Sequence, residues 1–206
     1  MATLDADVQL LIRRLSAPPE PAPRPVLVML VGLPGTGKTT FAARLAERFP
    51  LAVVESDAMR KTLFPRPTYS PAESRRVFAA IHEVLGRLLA ERVPALLDAT
   101  NLVEANRREL YQIAEGAGAR LFIVRLTAPD EVVRRRLAER LATRAVAENS
   151  DAGWAVYEKL RKRQSPLTRP HVELDTSRDI RPALERAARA LRRLTGTIQR
   201  SPPGPG

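Results

Sequence analysis

The stretch Val26-Leu27-Val28-Met29-Leu30-Val31-Gly32-Leu33-Pro34-Gly35-Thr36-Gly37-Lys38-Thr39-Thr40 decides the fold. Its first six residues are all apolar and rich in valine, which reads as a buried strand. They run directly into Gly32 to Thr39, which fits G-x-x-x-x-G-K-[ST], and then into a helical pattern from Lys38. A strand before and a helix after are the two contexts that this phosphate-binding pattern requires. Glycines let the backbone curl so that consecutive N–H groups face phosphate oxygens, and the helix N-terminus adds its positive end. Gly32, Pro34, Gly35, Thr36, Gly37, Lys38, Thr39 and Thr40 are the expected nucleotide cradle. Lys38 is placed to reach the β and γ phosphates of ATP, and the Thr39 hydroxyl to complete a Mg²⁺ shell.

Outward from this loop the chain alternates short apolar runs with longer amphipathic ones. Strands are expected at Val26–Val31, Leu51–Val54, Ala95–Asp98, Arg120–Leu126 and His171–Leu174. Helices are expected at about Lys38–Phe49, Pro71–Arg92, Val103–Glu115, Pro129–Arg140, Gly153–Lys162 and Ile180–Leu194. The alternation is that of βαβ units, so the fold class is α/β with a five-stranded parallel sheet and helices on both faces. Ser70-Pro71-Ala72-Glu73 supplies a cap, a proline at the first helical position and an acid in the first turn. Before the first strand, Leu4, Val8, Leu11, Ile12 and Leu15 mark a small amphipathic helix, expected to pack its apolar stripe on the main domain. Pro18, Pro19, Pro21, Pro23 and Pro25 make a spacer after it. The division is therefore 1–25 for helix and spacer, 26–196 for the domain, and 197–206 for a mobile proline- and glycine-rich tail.

Composition narrows the chemistry. The 206 residues contain no cysteine, which excludes disulfides, thiolate zinc sites and cysteine nucleophiles. No run reaches the roughly 18 to 20 apolar residues of a membrane span, and Asp5 and Asp7 break any resemblance to a signal peptide. A soluble, cytoplasmic protein with no membrane partner is expected. The net charge of +11 suits polyanionic partners, nucleotide and nucleic acid alike. Arginine supplies nearly all of it, which suits phosphate but also follows from a GC-rich genome.

The acceptor side of the cradle carries its own candidates. Asp57, just past the second strand, could take a proton from an acceptor hydroxyl. Arg60, on the same helical face, could hold an anionic acceptor group. A helix cap and an exposed helix charge explain the two equally well. Asp98 ends the third strand where an acidic residue serves Mg²⁺, and Thr100 and Asn101 lie beyond it in the crevice or start the next helix. Arg136 and Arg140, four apart and leading into the polar stretch 142–153, suit a lid near 136–153 that neutralises phosphoryl charge. Arg134 and Arg135 read as solvated surface. Trp154 and Tyr157 read as core before base-stacking, and Arg107 and Arg108 as exposed helix face or acceptor contacts. His82 and His171 are too isolated to hold a metal.

With GLPGTGKTT (32–40), SDAMR (56–60), LLDATN (96–101), RRRLAER (134–140) and NSDAGWAVYEKL (149–160) in this order, the sequence resembles the P-loop kinases related to the kinase domain of phage polynucleotide kinase. It resembles gluconate kinase, chloramphenicol phosphotransferase and zeta-type toxin kinases more distantly. The resemblance implies a three-layer P-loop NTPase fold and an ATP- and Mg²⁺-dependent kinase. It implies Asp57 as general base, Arg60, Thr100 and Asn101 as acceptor contacts, Thr39 and Asp98 as metal-side residues, and Arg136 and Arg140 as lid arginines. The acceptor would be a 5′-hydroxyl polynucleotide or a small polar molecule. A nucleic-acid-binding ATPase or nucleotide switch without an acceptor is the other reading of the same loop.

Overall fold

The computed structural model describes residues 2–15, 18–142 and 150–197. In chain order the elements are α1 (Ala2–Arg14), β1 (Val26–Val31), α2 (Lys38–Ala46), β2 (Ala52–Glu55), α3 (Ser56–Leu63), α4 (Pro71–Ala90), β3 (Ala95–Asp98), α5 (Glu104–Gly116), β4 (Arg120–Thr127), α6 (Asp130–Ala142), α7 (Ser150–Lys162), β5 (Val172–Asp175) and α8 (Arg181–Thr195). The strands form one sheet in the order β2-β3-β1-β4-β5, and every pairing is parallel. The five-stranded parallel sheet expected from the alternation is present.

β1 sits at the centre, and all six of its side chains are buried. Successive strand side chains point to opposite faces, and β1 obeys this strictly. Leu27, Met29 and Val31 join one core with residues of α1, α3, α4 and α5. Val26, Val28 and Leu30 join a second core with Phe41, Ala42 and Leu45 of α2 and Leu184, Ala188 and Leu191 of α8. Helices on both faces make three layers. Burial of each such side chain is worth roughly 1.5–3 kcal/mol, so β1 anchors the loop that follows it to the most stable part of the molecule.

α1 contributes to the first core from its outer side. Val8 and Leu11 are fully buried there, and Asp7 accepts two hydrogen bonds from Arg76, at 2.6 and 2.8 Å. The spacer is latched too: Ala22 N–H donates to Arg92 C=O and Arg24 N–H to Thr195 C=O. No helix among the described residues is long and apolar enough to cross a membrane.

Some boundaries differ from the sequence expectation. α2 ends at Ala46, and Phe49 turns back into the second core, its N–H bonded to Leu45 C=O at 2.9 Å. α3 follows β2 without a break, and its N-cap Glu55 makes no side-chain cap bond, so neither a turn nor a capping signal announces it. The proposed lid 136–153 falls partly on residues 143–149 and the tail 197–206 mostly on 198–206, both outside the described residues, as does Asn149 of the NSDAGWAVYEKL segment.

Candidate active site

The loop after β1 sits at the carboxyl end of the central strand, the usual place for a ligand on a parallel sheet. Gly32 is there because nothing larger fits: a Cβ would lie 2.6 Å from Leu126 O and 2.7 Å from Thr36 Oγ1. Gly35 and Gly37 adopt φ of +79° and +82°, a region that costs L-residues. Gly35 also faces α6, where a Cβ would meet Val133 Cγ1 at 2.9 Å. It thus allows the loop to bend and α6 to lie against it.

The loop residues divide their tasks. Thr36 is buried and turns its hydroxyl inward to Leu33 C=O at 2.8 Å, so only its backbone is offered to a phosphate. Pro34 has no N–H and shapes the turn. Thr39 and Thr40 open α2 with exposed side chains. Lys38 Nζ donates to Leu33 C=O at 3.0 Å. Burial pulls the Lys38 ammonium down to about 8, while Asp98 and Asp57 hold it up and Arg140 adds to the lowering.

Parallel register places Glu55 of β2 directly beside Asp98 of β3. Burial raises the Asp98 carboxyl above its ordinary value, Thr39 and Lys38 oppose this, and Asp57 adds to it. Burial also raises Glu55, and the neighbouring Asp98 and Asp57 push the same way. Lys38, Thr39, Glu55, Asp57, Asp98 and Arg140 therefore share one electrostatic neighbourhood at the carboxyl edge of the sheet. Asp98 Oδ2 is buried with no hydrogen-bond partner. A buried orphan carboxylate oxygen beside a threonine hydroxyl is the donor chemistry of a hard cation such as Mg²⁺. No group of three or more His, Cys, Asp or Glu among the described residues is arranged to hold a metal by itself, so such an ion would come with the nucleotide's own oxygens.

Other candidates occupy different places than expected. Arg60 is neither an exposed helix charge nor free for an acceptor. It is buried, with Nη1 bonded to Glu73 Oε1 at 2.6 Å and Nη2 to Ser74 Oγ at 3.3 Å. Glu73 also accepts from Thr68 N–H and hydroxyl and from Tyr69 N–H, pinning the α3–α4 loop. Asn101 is buried with φ +48° and donates from Nδ2 to Leu30 C=O at 2.7 Å. It ties the third strand's end to β1. Thr100 keeps a half-buried side chain at the crevice and accepts Gly32 N–H on its carbonyl at 3.1 Å.

Arg107, read as exposed face or acceptor contact, is fully buried and donates to the carbonyls of Asn101, Leu102, Ser165 and Pro166. Arg136 turns to the loop itself, donating to Gly35 C=O at 3.3 Å and to the hydroxyl and carbonyl of Thr176 at 2.8 Å each. Trp154 stacks on Tyr157, centroids 4.6 Å apart, with the Arg134 guanidinium 4.0 Å over its ring. Tyr157 is buried in a small apolar cluster with Leu33, Leu102, Val133 and Leu137, and half-buried Trp154 packs against it, so the pair packs as core.

Glu55 and Thr176 went unremarked in the sequence. The alternation of β2 against β3 would have found Glu55. Thr176, whose hydroxyl donates to Thr36 C=O at 3.0 Å, carries no motif.

Residues 27–167 match the family model AAA_33, described as an AAA domain. The chain belongs to this family. Over 152 residues, 66% of this chain and 73% of the relative, this AAA_33 member is 32% identical to a UPF0200 protein of Aeropyrum pernix. Its fold is similar to the APS kinase of Mycobacterium tuberculosis solved with AMPPNP and APS (TM-score 0.63, 21% identity, covering 82% of this chain and 98% of that one). It is also similar to Kti12 of Chaetomium thermophilum with ADP-AlF3 (TM-score 0.61, 20% identity, 82% and 98%). A gluconokinase of Sinorhizobium meliloti superposes as well (TM-score 0.58, 21% identity, 86% and 96%). The AAA_33 member thus shares its fold with P-loop kinases.

Proposed function

We propose that the protein is an ATP-dependent phosphotransferase that moves the γ-phosphoryl group to an acceptor hydroxyl. The observation that carries this reading is the meeting of Asp57 with Lys38 and Asp98 in one electrostatic neighbourhood. A nucleotide hydrolase needs only a placed water, whereas an exposed carboxylate facing the phosphate lysine can meet an acceptor.

Lys38 and the loop amides from Gly35 to Thr40 hold the phosphates, with Gly32 and Pro34 setting the bend. Mg²⁺ bound with ATP would be held by Thr39 and Asp98 and would screen charge between the phosphates. Asp57 accepts the hydroxyl proton as the acceptor oxygen bonds to the γ-phosphorus and the bond to the β-phosphate oxygen breaks, releasing ADP. Arg140, whose charge reaches Lys38, Glu55 and Asp98, offsets charge on the moving phosphoryl group. Arg136 acts at one remove, by holding the loop through Gly35. Thr100 borders the acceptor. Arg60 serves it only by fixing α3 and hence Asp57.

The test is transfer from γ-labelled ATP into a 5′-hydroxyl oligonucleotide and a panel of small alcohols. Asp57→Asn is expected to bind ATP within about twofold of the parent while transfer falls by about 10²–10⁴. Equal transfer by both proteins would remove Asp57 from its role, and hydrolysis with no labelled acceptor would overturn the kinase reading.

A further inference from the structure

Between the C-terminal end of α1 and one side of α3 lies a cavity of about 460 Å³ lined by Arg14, Glu55, Ala58, Lys61 and Thr62. Its volume is that of a small-molecule site. Arg14 and Lys61 form no ion pair or side-chain hydrogen bond among the described residues, whereas Arg76, Arg87 and Arg107 are each engaged by a carboxylate. Two cations without a hydrogen-bonded carboxylate among the described residues thus line one small cavity, with Glu55 the carboxylate on its wall.

The cavity is not remote from the phosphate loop. Glu55 belongs to both: it lines the cavity, stands in register beside Asp98 and feels the charges of Asp57 and Lys61. Lys61 follows Asp57 by four residues on α3, which puts the two on one helix face a single turn apart. A molecule with its hydroxyl at Asp57 therefore extends naturally toward Lys61 and Arg14. Arg14 also comes from α1, which lies outside the family match over 27–167, so this wall of the cavity is not part of the family's matched segment.

We infer that the α1–α3 cavity is the recognition subsite for an oxyanion, phosphate or carboxylate, carried by a small hydroxylated acceptor, with Arg14 and Lys61 holding the oxyanion. The role assigned to the acceptor rests on the kinase reading above; the oxyanion site itself does not. Arginine's planar fork and the lysine point charge together match a phosphate monoester in both geometry and charge. Glu55, also on the wall of the cavity, accepts a hydrogen bond from a hydroxyl of the same molecule.

The experiment reads binding without turnover. The full chain is saturated with AMPPNP and Mg²⁺ so that the phosphate loop is filled, and inorganic phosphate or acetate is then titrated while the amide resonances of Ala58, Lys61 and Thr62 are followed. Saturable shifts at these amides are expected. Arg14→Ala and Lys61→Ala should each weaken phosphate binding about tenfold, the loss of one charge-assisted hydrogen bond, and Arg14→Lys should recover part of it. Tighter binding of phosphate than of acetate assigns a phosphate monoester, and the reverse order assigns a carboxylate. Shifts that do not saturate, or that both alanine variants leave unchanged, overturn the subsite even if an acceptor is labelled in the transfer assay. Saturable, Arg14-dependent binding with no acceptor labelled keeps the oxyanion site and removes the kinase reading instead.

Discussion

At the scale of single residues, the two most strongly displaced ionisable groups pull in opposite directions and give two pH tests. Lys38 titrates at about 8 in the fold against 10.5 ordinarily. Between these values the unfolded chain holds the extra proton, so the burden of the buried ammonium on folding is greatest below about 8 and is relieved as pH rises through the window. Bound polyphosphate favours the charged lysine, so nucleotide binding should take up a proton, and affinity should fall as pH rises above about 8. Calorimetry in buffers of different ionisation enthalpy measures the uptake, which Lys38→Met should abolish.

Glu73 behaves the other way. Burial would raise it, but hydrogen bonds from Arg60, Thr68 and Tyr69 win and hold it near about 2, against 4.5. Its contribution to stability is complete above 4.5 and is lost as pH falls toward about 2. Denaturant midpoints of Glu73→Gln should be lower than the parent's at neutral pH and should no longer carry this loss across that window. The partnership of Arg60 with Glu73 also has no signature in the sequence. The spacing from Asp57 to Arg60 is visible in the sequence, whereas the carboxylate that claims Arg60 lies 13 residues on, beyond a loop. Arg107 and Asn101 misled for the same reason: a polar residue type shows what a side chain can bond to, and burial decides which carbonyl it finds.

At the scale of elements, what could be read in advance was what repeats. β1 and β3 have the bounds expected for them: the apolar run fixes β1, and in β3 the apolar run ends on the buried carboxylate of Asp98. α4 starts where its cap and proline announced it, with Ser70 Oγ accepting Glu73 N–H at 3.2 Å. The packing of α6 on the phosphate loop had no such signature, since it depends on a missing side chain. Gly35→Ala tests it. The left-handed φ and the approach to Val133 and Leu137 should together cost about 1–3 kcal/mol. Because the same shift disturbs the contact of Arg136 with Gly35 C=O, the KM for ATP should rise along with the drop in thermal midpoint. Unchanged ATP kinetics in a destabilised variant would show that α6 supports the fold alone.

At the scale of the whole molecule, α1 is an addition to a chain whose matched family segment begins at Leu27, yet it is not loosely attached. Leu11 is fully buried in the core that also contains Val84 and Leu85 of α4. Leu11→Ala should cost about 2–5 kcal/mol in a single cooperative denaturation transition; a separate early transition for α1 would show that it folds independently of the sheet.

The hydroxyl of Thr176 links three distant parts of the chain. Its single proton is shared between Thr36 C=O and Thr127 C=O, at 3.0 and 3.2 Å, and its oxygen accepts from Arg136 at 2.8 Å. Thr176 follows β5, the last strand in chain order. On the ribosome the phosphate loop emerges about 140 residues before Thr176, so this latch cannot close until β5 has followed it out. A truncated product that stops before β5 would therefore carry the loop without the residue that fastens it.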